Sequence, residues 1–370
     1  MFHDPKPPVE QATRLRCDAA DLHKAVKSAK AVINRHNTIP IIGMLLLAFD
    51  GETLTVTATD LDMRLELEVE TEAPALPFSV TVKPETILPI LRNAKGTVTI
   101  SLEGDMATII AGDITAKIRQ VCPAEDFPTV WADDYPLNAV EMPESALHKA
   151  LSKVCHCISM EETRYYLNGI YMHEKAGKLA TAATDGHRLA LYQSDLDWPF
   201  LPVIVPRETV PIILQQLAER GNKAVMMTTS AKDKAPSIAI QGDGWNFRAK
   251  TIDGTYPDYQ RVIPTQPEKP AIAFTLSKGA VDCMHQSERG ATLRIHADEG
   301  RMWLSDLGKE TEVSAPVTGR GELCAFNLSY VKAFLQKDKI VRLQSNNQGD
   351  PFHIITEDPA FTQIIMPKRA

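Results

Sequence analysis

The stretch DLHKAVKSAKAVI, residues 21–33, shows the pattern from which the organisation of the whole chain can be read. Its Leu22, Ala25 and Val26 fall on one face of a helix, because residues three and four positions apart lie together on a helix surface. The pattern returns in SALHKALSKVCHCI at 145–158 and in LSKGAVDCM at 276–284, with the leading leucines 125 and then 129 residues apart. A period so far above the roughly 20–50 residues of solenoid repeats predicts three copies of a whole domain.

Two further elements recur with nearly the same period. A second helical segment appears as ETILPIL at 85–91, ETVPIIL at 208–214 and SYVKAFL at 329–335. An alternating strand that ends in aspartate appears as LTVTATD at 54–60, LATAATD at 179–185 and RMWLSD at 301–306. The order in each copy is helix, strands, helix, strands. If Thr86 and Thr209 cap the second helices, Pro89 and Pro211 fall in the first turn, where a missing N–H breaks no helical bond.

The fold class that follows is α+β, with three tandem domains that each pack two helices on β-sheets. The segments between the helices alternate or are β-branched, with Gly or Asp turns between them, as strands do. Two polar, proline-containing stretches, WADDYPLN at 131–138 and VIPTQPEKP at 262–270, are typical of linkers. The predicted domains are 1–137, 138–266 and 267–370, with residues 1–13 expected to be a disordered leader.

Composition excludes several protein classes. The 370 residues are 44% apolar and 24% charged, as in a globular protein, and no stretch approaches about 18 uncharged apolar residues. The N-terminus resembles neither a signal peptide nor a transit peptide, so a cytoplasmic location is expected. Of six cysteines only Cys155 and Cys157 are close, in a C-H-C spacing that is poor for zinc. We expect free thiols, no metal and no cofactor.

Charge is segregated along the chain. The formal net charge is −7, yet the six predicted helices together carry +10 and the remainder −17. One interpretation is that helices commonly display lysines on a solvated face. The other is that the helices share a surface that faces a polyanion. The sequence pattern favours the second interpretation without excluding the first.

One stretch carries a specific resemblance. TRYYLNGIYMHEKAGKLATAATDGHRLAL at 163–191, followed in order by FRAKTIDGTYPDYQRVIP at 247–264 and IIMPKR at 364–369, closely resembles the bacterial sliding clamp family, the beta subunit of DNA polymerase III. NTIPIIGMLLL at 37–47 also fits. The resemblance implies a head-to-tail homodimer of three-domain subunits that closes into a ring around duplex DNA. The chain would then be half of that ring, with helices lining the hole, and would slide on DNA as a processivity factor.

The resemblance also implies a cleft that binds short peptides of the replicative polymerase, the clamp loader and repair proteins. The positions carried over to this cleft are Leu167, Thr184, Gly186, His187, Arg188, Leu189, Pro257, Val262, Ile364, Met366, Pro367, Lys368 and Arg369. Leu189, Val262, Ile364 and Met366 would form an apolar floor for Leu or Phe side chains, with a polar rim from His187 and Arg188. The charged tip of Lys368 is expected to stay in solvent.

Candidate DNA-binding residues follow from the same resemblance and from the helix charge. They are Arg35, His36, Lys149, Lys153, Arg164, Tyr165, Tyr166 and Arg207. Taken alone, Tyr165 and Tyr166 would be ordinary half-buried strand residues. The chain departs from the family pattern at Glu161 and Glu208, where it has acids, and at its Lys368-Arg369-Ala370 end, where the family is apolar.

Two other functions are weighed against the clamp. An enzyme is disfavoured because the sequence has no GxSxG elbow, P-loop, GxGxxG or HExxH motif. A clamp-like peptide-binding adaptor that never encircles DNA is the alternative. For the homodimer, the expected interface joins the first domain of one subunit to the third domain of the other, near Ile114–Val121 and the helix around Met284.

Overall fold

The computed structural model describes most of the chain. The described residues are 13–34, 38–72, 76–129, 139–219, 224–229, 236–283, 291–296, 301–306, 309–313, 318–320, 323–335 and 340–369. They form six α-helices: α1 Ala19–Ala29, α2 Pro84–Arg92, α3 Glu144–Val154, α4 Val210–Glu219, α5 Lys278–Asp282 and α6 Leu328–Leu335. None of these helices is long and apolar enough to cross a membrane.

Strands outnumber helices in the described residues. They are β1 Thr13–Asp18, β2 Leu45–Phe49, β3 Leu54–Thr59, β4 Met63–Val69, β5 Phe78–Val82, β6 Thr97–Glu103, β7 Met106–Ala111, β8 Ile114–Arg119, β9 Ala139–Met142, β10 Gly169–Lys175, β11 Lys178–Thr184, β12 Arg188–Asp197, β13 Val203–Pro206, β14 Ala224–Thr229, β15 Ser237–Gly242, β16 Trp245–Lys250, β17 Ile272–Ser277, β18 Thr292–His296, β19 Arg301–Asp306, β20 Lys309–Val313, β21 Thr318–Arg320, β22 Leu323–Asn327, β23 Ile340–Ser345, β24 Phe352–Ile355 and β25 Phe361–Ile365. The predicted α+β class is confirmed, and so is the order helix, strands, helix, strands in all three copies.

The chain divides into two compact units, each with two antiparallel sheets. Unit 1 comprises 1–145 and 211–250, and its sheets have the orders β1-β6-β7-β8 and β5-β2-β3-β4-β16-β15-β14-β9. Unit 2 comprises 146–210 and 251–370, and its sheets have the orders β13-β10-β11-β12-β25-β24-β23-β17-β21 and β20-β19-β18-β22. Each of the two larger sheets contains strands from both sides of a predicted domain boundary. The compact units are therefore defined by complete sheets and not by the predicted domains. The three-domain division from the repeat stays a prediction.

Apolar periodicity explains how α1 packs. Its Leu22, Ala25 and Val26 are fully buried, and the helix lies against α2, β3 and β4. The side chain of Asp18 caps its first turn by accepting from Ala20 N at 2.8 Å and Asp21 N at 3.2 Å. Burial of an apolar stripe and satisfaction of the first N–H groups are the two conditions that a short helix needs.

The predicted cap of the second helix in the first copy is wrong. Lys83, not Thr86, is the residue before α2, and Pro84 occupies the first turn. Proline is favoured there because its missing N–H has no helical partner. Pro89 therefore lies inside the helix, where it removes one backbone hydrogen bond. In the second copy α4 begins directly after Thr209, and Pro211 does lie in its first turn.

Candidate functional site

A cavity of about 630 Å³ lies in unit 2, lined mainly by the ends of β11, β12 and β25 and by residues 257–264. Its floor is apolar. Leu189 of β12 is the direct neighbour of Ile364 of β25 across the sheet, so both side chains lie on one face. These two residues and Leu167 are at most 4% exposed. The floor is therefore part of the packed core and keeps its shape without a ligand.

Two apolar residues of the cavity remain open to solvent. Val262 is 59% exposed and Met366 is 37% exposed. Solvent-exposed apolar surface that lines a cavity is typical of a binding site. A methionine at such a place suits ligands of differing shape, because its side chain is unbranched and flexible.

The turn between β11 and β12 forms one wall. Asp185 Oδ1 accepts from the backbone N–H groups of His187 at 2.9 Å and Arg188 at 3.0 Å. Thr184 Oγ1 donates to Arg188 O at 2.7 Å and accepts from Gly186 N at 3.1 Å. Gly186 has φ +86°, a backbone conformation that residues with a side chain rarely adopt. A Cβ at this position would also lie 2.7 Å from Arg164 Nη1. Asp185 thus serves the turn, which gives a structural reason for the D-G-H sequence.

Beneath the cavity, buried polar groups hold the 256–259 segment. His173 Nδ1 lies 2.7 Å from the Glu174 carbonyl, which can only accept, so His173 Nε2 accepts from the Tyr259 hydroxyl at 2.8 Å. The rings of Tyr171 and Tyr256 stack with centroids 4.6 Å apart. Burial lowers the pKa of His173 and raises the pKa of Tyr259 to about 12. Both groups are therefore uncharged at neutral pH, as a buried hydrogen bond between them requires.

Three arginines line the cavity, and each is paired. Arg188 Nε lies 3.0 Å from Asp185 Oδ2, and its guanidinium lies 4.3 Å from the centre of the Tyr330 ring. Arg261 Nε lies 2.9 Å from Asp258 Oδ2. Arg164 Nε donates to Glu161 Oε2 at 2.8 Å, and its Nη2 bonds the same oxygen. The rim is thus rich in charged groups but locally balanced in charge.

The structure brings together ten of the thirteen residues predicted for the cleft. They are Leu167, Thr184, Gly186, His187, Arg188, Leu189, Pro257, Val262, Ile364 and Met366. The other three, Pro367, Lys368 and Arg369, do not line the cavity. Lys368 instead donates its backbone N–H to Ala325 O at 2.8 Å and its ammonium to Thr292 Oγ1 at 2.8 Å. The backbone bond directs the chain end along β22 after Met366, so Lys368 does not extend the floor.

Seven lining residues were not predicted for the cleft. They are Arg164, Tyr166, Asp258, Tyr259, Arg261, Pro264 and Pro351. Arg164 and Tyr166 are among the residues predicted to contact DNA. Four of the others lie inside the TYPDYQRVIP stretch that carried the resemblance, which was a usable signal. Pro351 precedes β24 and is brought to the cavity only by sheet pairing.

The predicted DNA-binding residues fall into different surroundings. Arg35 and His36 lie outside the described residues. Tyr165 is 54% exposed, and its ring meets that of Tyr166 edge to face, with centroids 5.7 Å apart. They belong to a short 3₁₀ helix, Glu162–Leu167, and not to a strand as their sequence alone suggested. Glu208 pairs with Arg207 at 2.7 Å.

The two lysines of α3 share one acid. Lys149 Nζ lies 3.1 Å and Lys153 Nζ 3.7 Å from Asp358 Oδ2. Lys149 also lies over the Tyr192 ring and Lys153 over the Phe361 ring, 5.1 and 4.6 Å from the ring centres. Burial tends to raise the pKa of Asp358, but bonds from Lys149 and Ala360 outweigh it and lower the pKa. Two positive charges therefore meet one negative charge here.

The cysteines form no bridge. None of the six is in a disulfide; Cys17, Cys157 and Cys324 are buried while Cys283 is exposed. Within the part of the chain that the structure describes, no group of three or more His, Cys, Asp or Glu side chains could hold a metal ion.

Comparisons with known proteins agree with one another. Residues 13–131 match the family model of the DNA polymerase III beta subunit N-terminal domain, and residues 141–258 match that of its central domain. The beta sliding clamp of Caulobacter vibrioides is 30% identical over 338 residues, covering 86% of this chain and 88% of the relative.

Solved structures give the same result. The Caulobacter crescentus beta sliding clamp, solved with polyethylene glycol bound, has a TM-score of 0.81 and 28% identity over 97% of this chain and 99% of the other. A sliding clamp from Bartonella birtlesii bound to griselimycin also has a TM-score of 0.81, with 25% identity over 97% of this chain and all of the other.

Proposed function

Because this chain belongs to the family of the bacterial DNA polymerase III beta subunit, the beta sliding clamp, we propose that it is a DNA polymerase processivity factor. Two copies form a ring that encircles duplex DNA and slides without reading sequence, because contacts to phosphates carry no sequence information. The ring tethers the polymerase, the clamp loader and repair proteins. Its role is binding and not catalysis, and it acts in the cytoplasm.

The observation that carries the tethering role is the cavity of about 630 Å³, with a buried apolar floor and an arginine-bearing rim. We propose that partner peptides insert Leu or Phe side chains above Leu189 and Ile364, beside the exposed Met366. The volume is in the range of ligand sites that take a few side chains. The adaptor alternative, a clamp-like protein that never encircles DNA, has no observation in its favour.

The proposed homodimer interface includes an exposed strand edge. In unit 1, β8 is the last strand of its sheet, and Ile114 and the nearby Val121 are 44% and 67% exposed. An edge strand with exposed apolar residues is a template for pairing with another chain. We propose that this edge pairs with the third domain of the partner, as predicted from the sequence. Met284, in the other expected element, lies outside the described residues.

The experiment that tests the ring is retention on DNA. The protein is loaded onto nicked circular DNA by a clamp loader, and the DNA is then cut. Retention on the circle and loss from the linear product are expected of a closed ring. Light scattering should give about 82 kDa, twice the 40.9 kDa of one chain. A monomer at micromolar concentration, or equal retention on both DNA forms, contradicts the ring.

The cleft is tested by Met366→Ala. Truncating a side chain that contacts a buried anchor costs about 1–3 kcal/mol, so binding of a peptide with a Leu-Phe anchor should weaken roughly tenfold. Lys368→Met is the matched control, because Lys368 does not line the cavity. Equal peptide affinity of Met366→Ala and the parent chain in a calorimetric titration contradicts the cleft assignment.

A further inference from the structure

Each of the three arginines in the cavity pairs with an acid three residues before it. The pairs are Glu161–Arg164, Asp185–Arg188 and Asp258–Arg261. An incoming peptide therefore meets a rim whose positive charges already have partners. Whether a ligand can displace an acid from its arginine depends on the other contacts that the two side chains make.

The Asp185–Arg188 pair belongs to the wall itself. Both side chains are only 12–13% exposed, and Asp185 also holds the turn through two backbone N–H groups. Displacing Asp185 would break the two hydrogen bonds that hold the turn. This pair is structural and is not available for exchange with a ligand.

The Asp258–Arg261 pair is the opposite case. The Arg261 side chain is 83% exposed, and Asp258 also accepts from Gln260 N at 3.2 Å. A long side chain so open to water gains little from one fixed geometry. The Arg261 side chain can move toward an acidic ligand or away from a basic one, so this pair discriminates weakly between ligands of different charge.

Glu161 and Arg164 lie between these extremes. Arg164 is fixed in the wall, because its guanidinium packs over Gly186 and donates to Asp185 O at 3.3 Å. Glu161 is 47% exposed and does not line the cavity. The guanidinium is thus presented to the ligand while its counter-charge approaches from the solvent side.

We propose that Glu161 sets the charge preference of the cleft by neutralising Arg164. A peptide with an acidic side chain facing Arg164 must compete with Glu161 for the guanidinium, whereas a peptide with an uncharged residue there does not. The cleft of this chain therefore favours peptides that are uncharged at that position. This inference rests on the peptide-binding function proposed for the cleft.

A second contact keeps Glu161 charged and in place. Thr163 Oγ1 donates to Glu161 Oε1 at 2.6 Å, while Arg164 bonds the other carboxylate oxygen. The hydrogen bonds from Thr163 and then Arg164 lower the pKa of Glu161. Both oxygens are occupied across the neutral range, so Arg164 has a resident carboxylate partner before a ligand arrives.

The test uses two synthetic peptides with the same Leu-Phe anchor, one with Glu and one with Gln at the position before it. Glu161→Gln keeps the shape of the side chain and removes its charge. We expect this variant to bind the Glu peptide about two- to fivefold more tightly than the parent, the range of a partly exposed ion pair. Its affinity for the Gln peptide should not change, and the gain should disappear at high salt.

Glu208→Gln is the matched control. Glu208 pairs with Arg207 at 2.7 Å, and neither residue lines the cavity, so both peptides should bind this variant as they bind the parent. In an Arg164→Gln background, Glu161→Gln should have no further effect on the Glu peptide. This second background separates an action through Arg164 from a general change in surface charge.

The outcomes distinguish the inference from the function beneath it. An equal change for both peptides, or no gain for the Glu peptide, overturns the role of Glu161 and leaves the cleft assignment standing. Failure of both peptides to bind the parent and every variant overturns the cleft assignment, and the inference falls with it. Thermal unfolding of each variant checks that the fold is retained.

Discussion

The helix pair of α1 and α2 and the cleft of unit 2 are built on different principles. Between α1 and α2 the interior is apolar, with Leu22, Ile87 and Leu91 at most 2% exposed, and the ion pair from Lys30 to Glu85 lies at the surface. At the cleft, polar groups far apart in sequence are buried together, such as His173 and Tyr259. The helix pair depends on how much apolar surface is buried, whereas the cleft depends on which polar groups meet.

Sequence patterns are more informative about apolar packing than about buried polar contacts. An apolar stripe predicts its own burial, because any apolar neighbour satisfies it. A buried hydroxyl or imidazole is stable only if one particular partner is present, and that partner can be any distance away along the chain.

The largest effect is expected in the helix pair. Leu22 is fully buried, so Leu22→Ala should lower the free energy of unfolding by about 2–5 kcal/mol through lost burial and a residual cavity. Urea denaturation followed by circular dichroism measures it. Lys27→Ala, on the exposed side of the same helix, is the control and should change the free energy by less than about 0.5 kcal/mol. Equal effects of the two variants would contradict the apolar-stripe account.

A smaller effect is expected at the start of the same helix. Asp18→Ala removes the acceptor for Ala20 N and Asp21 N and should cost about 1 kcal/mol of unfolding free energy. Asp18→Asn keeps a cap acceptor and should cost much less. The same urea titrations compare the two. If Asp18→Asn is as destabilising as Asp18→Ala, the cap acts through charge and not through hydrogen bonding.

The cleft should respond to pH in a way that apolar packing does not. Burial lowers the pKa of His173 and of His353 below the usual histidine value of about 6.5. The unfolded chain therefore binds protons first as pH falls, so stability is lost as pH drops from about 6.5 toward the folded pKa values. Urea midpoints at pH 7.5, 6.5 and 5.5 measure the loss.

A variant locates this pH effect. His173→Gln should lower stability at neutral pH, because the Tyr259 hydroxyl loses the imidazole Nε2 to which it donates. The same variant should also flatten the decline in stability below pH 6.5. The part of the decline that remains is assigned to His353, whose Nε2 lies 2.9 Å from Pro264 O. A decline as steep in His173→Gln as in the parent would show that His173 does not titrate with folding.

The smallest effect concerns the lysines of α3. Asp358→Asn removes the one acid that Lys149 and Lys153 share, so weak binding to short linear duplex DNA should strengthen by about twofold at low salt. Fluorescence anisotropy at several salt concentrations measures both affinity and its salt dependence. Replacing both lysines by Ala should weaken binding without creating sequence preference. No response to either change would remove these lysines from the DNA surface.

Sequence patterns predicted the elements well where burial alone decides them. The α1, α3 and α5 stretches were located from one apolar motif, and the strands that end at Thr59, Thr184 and Asp306 from another. The wrong predictions of secondary structure concern proline and aromatic residues, which occur in several kinds of local structure. The start of α2 at Pro84 and the 3₁₀ turn at Tyr165 depend on local geometry that the same residue types also adopt in other contexts.

At the candidate site, the sequence identified the residues on the motif-bearing strands and turns but not their partners. The cleft residues Leu189 and Ile364 could be named because they lie in recognisable stretches. That Glu161 would neutralise Arg164, and that Asp358 would hold two lysines of α3, could not be predicted. Charged side chains are compatible with many neighbours, so only the folded arrangement selects one.

The amino-acid sequence alone was sufficient for the α+β class and the family, and it predicts a threefold repeat, because apolar periodicity and turn residues act over short distances along the chain. The bonds from Lys368 to Thr292 and Ala325, which keep it from extending the cleft floor, follow from the tertiary structure alone. The tertiary structure also gives each cleft arginine its own acid. The Lys368 contacts join the segment after β25 of the nine-stranded sheet to β18 and β22 of the four-stranded sheet, and no local sequence pattern relates these segments.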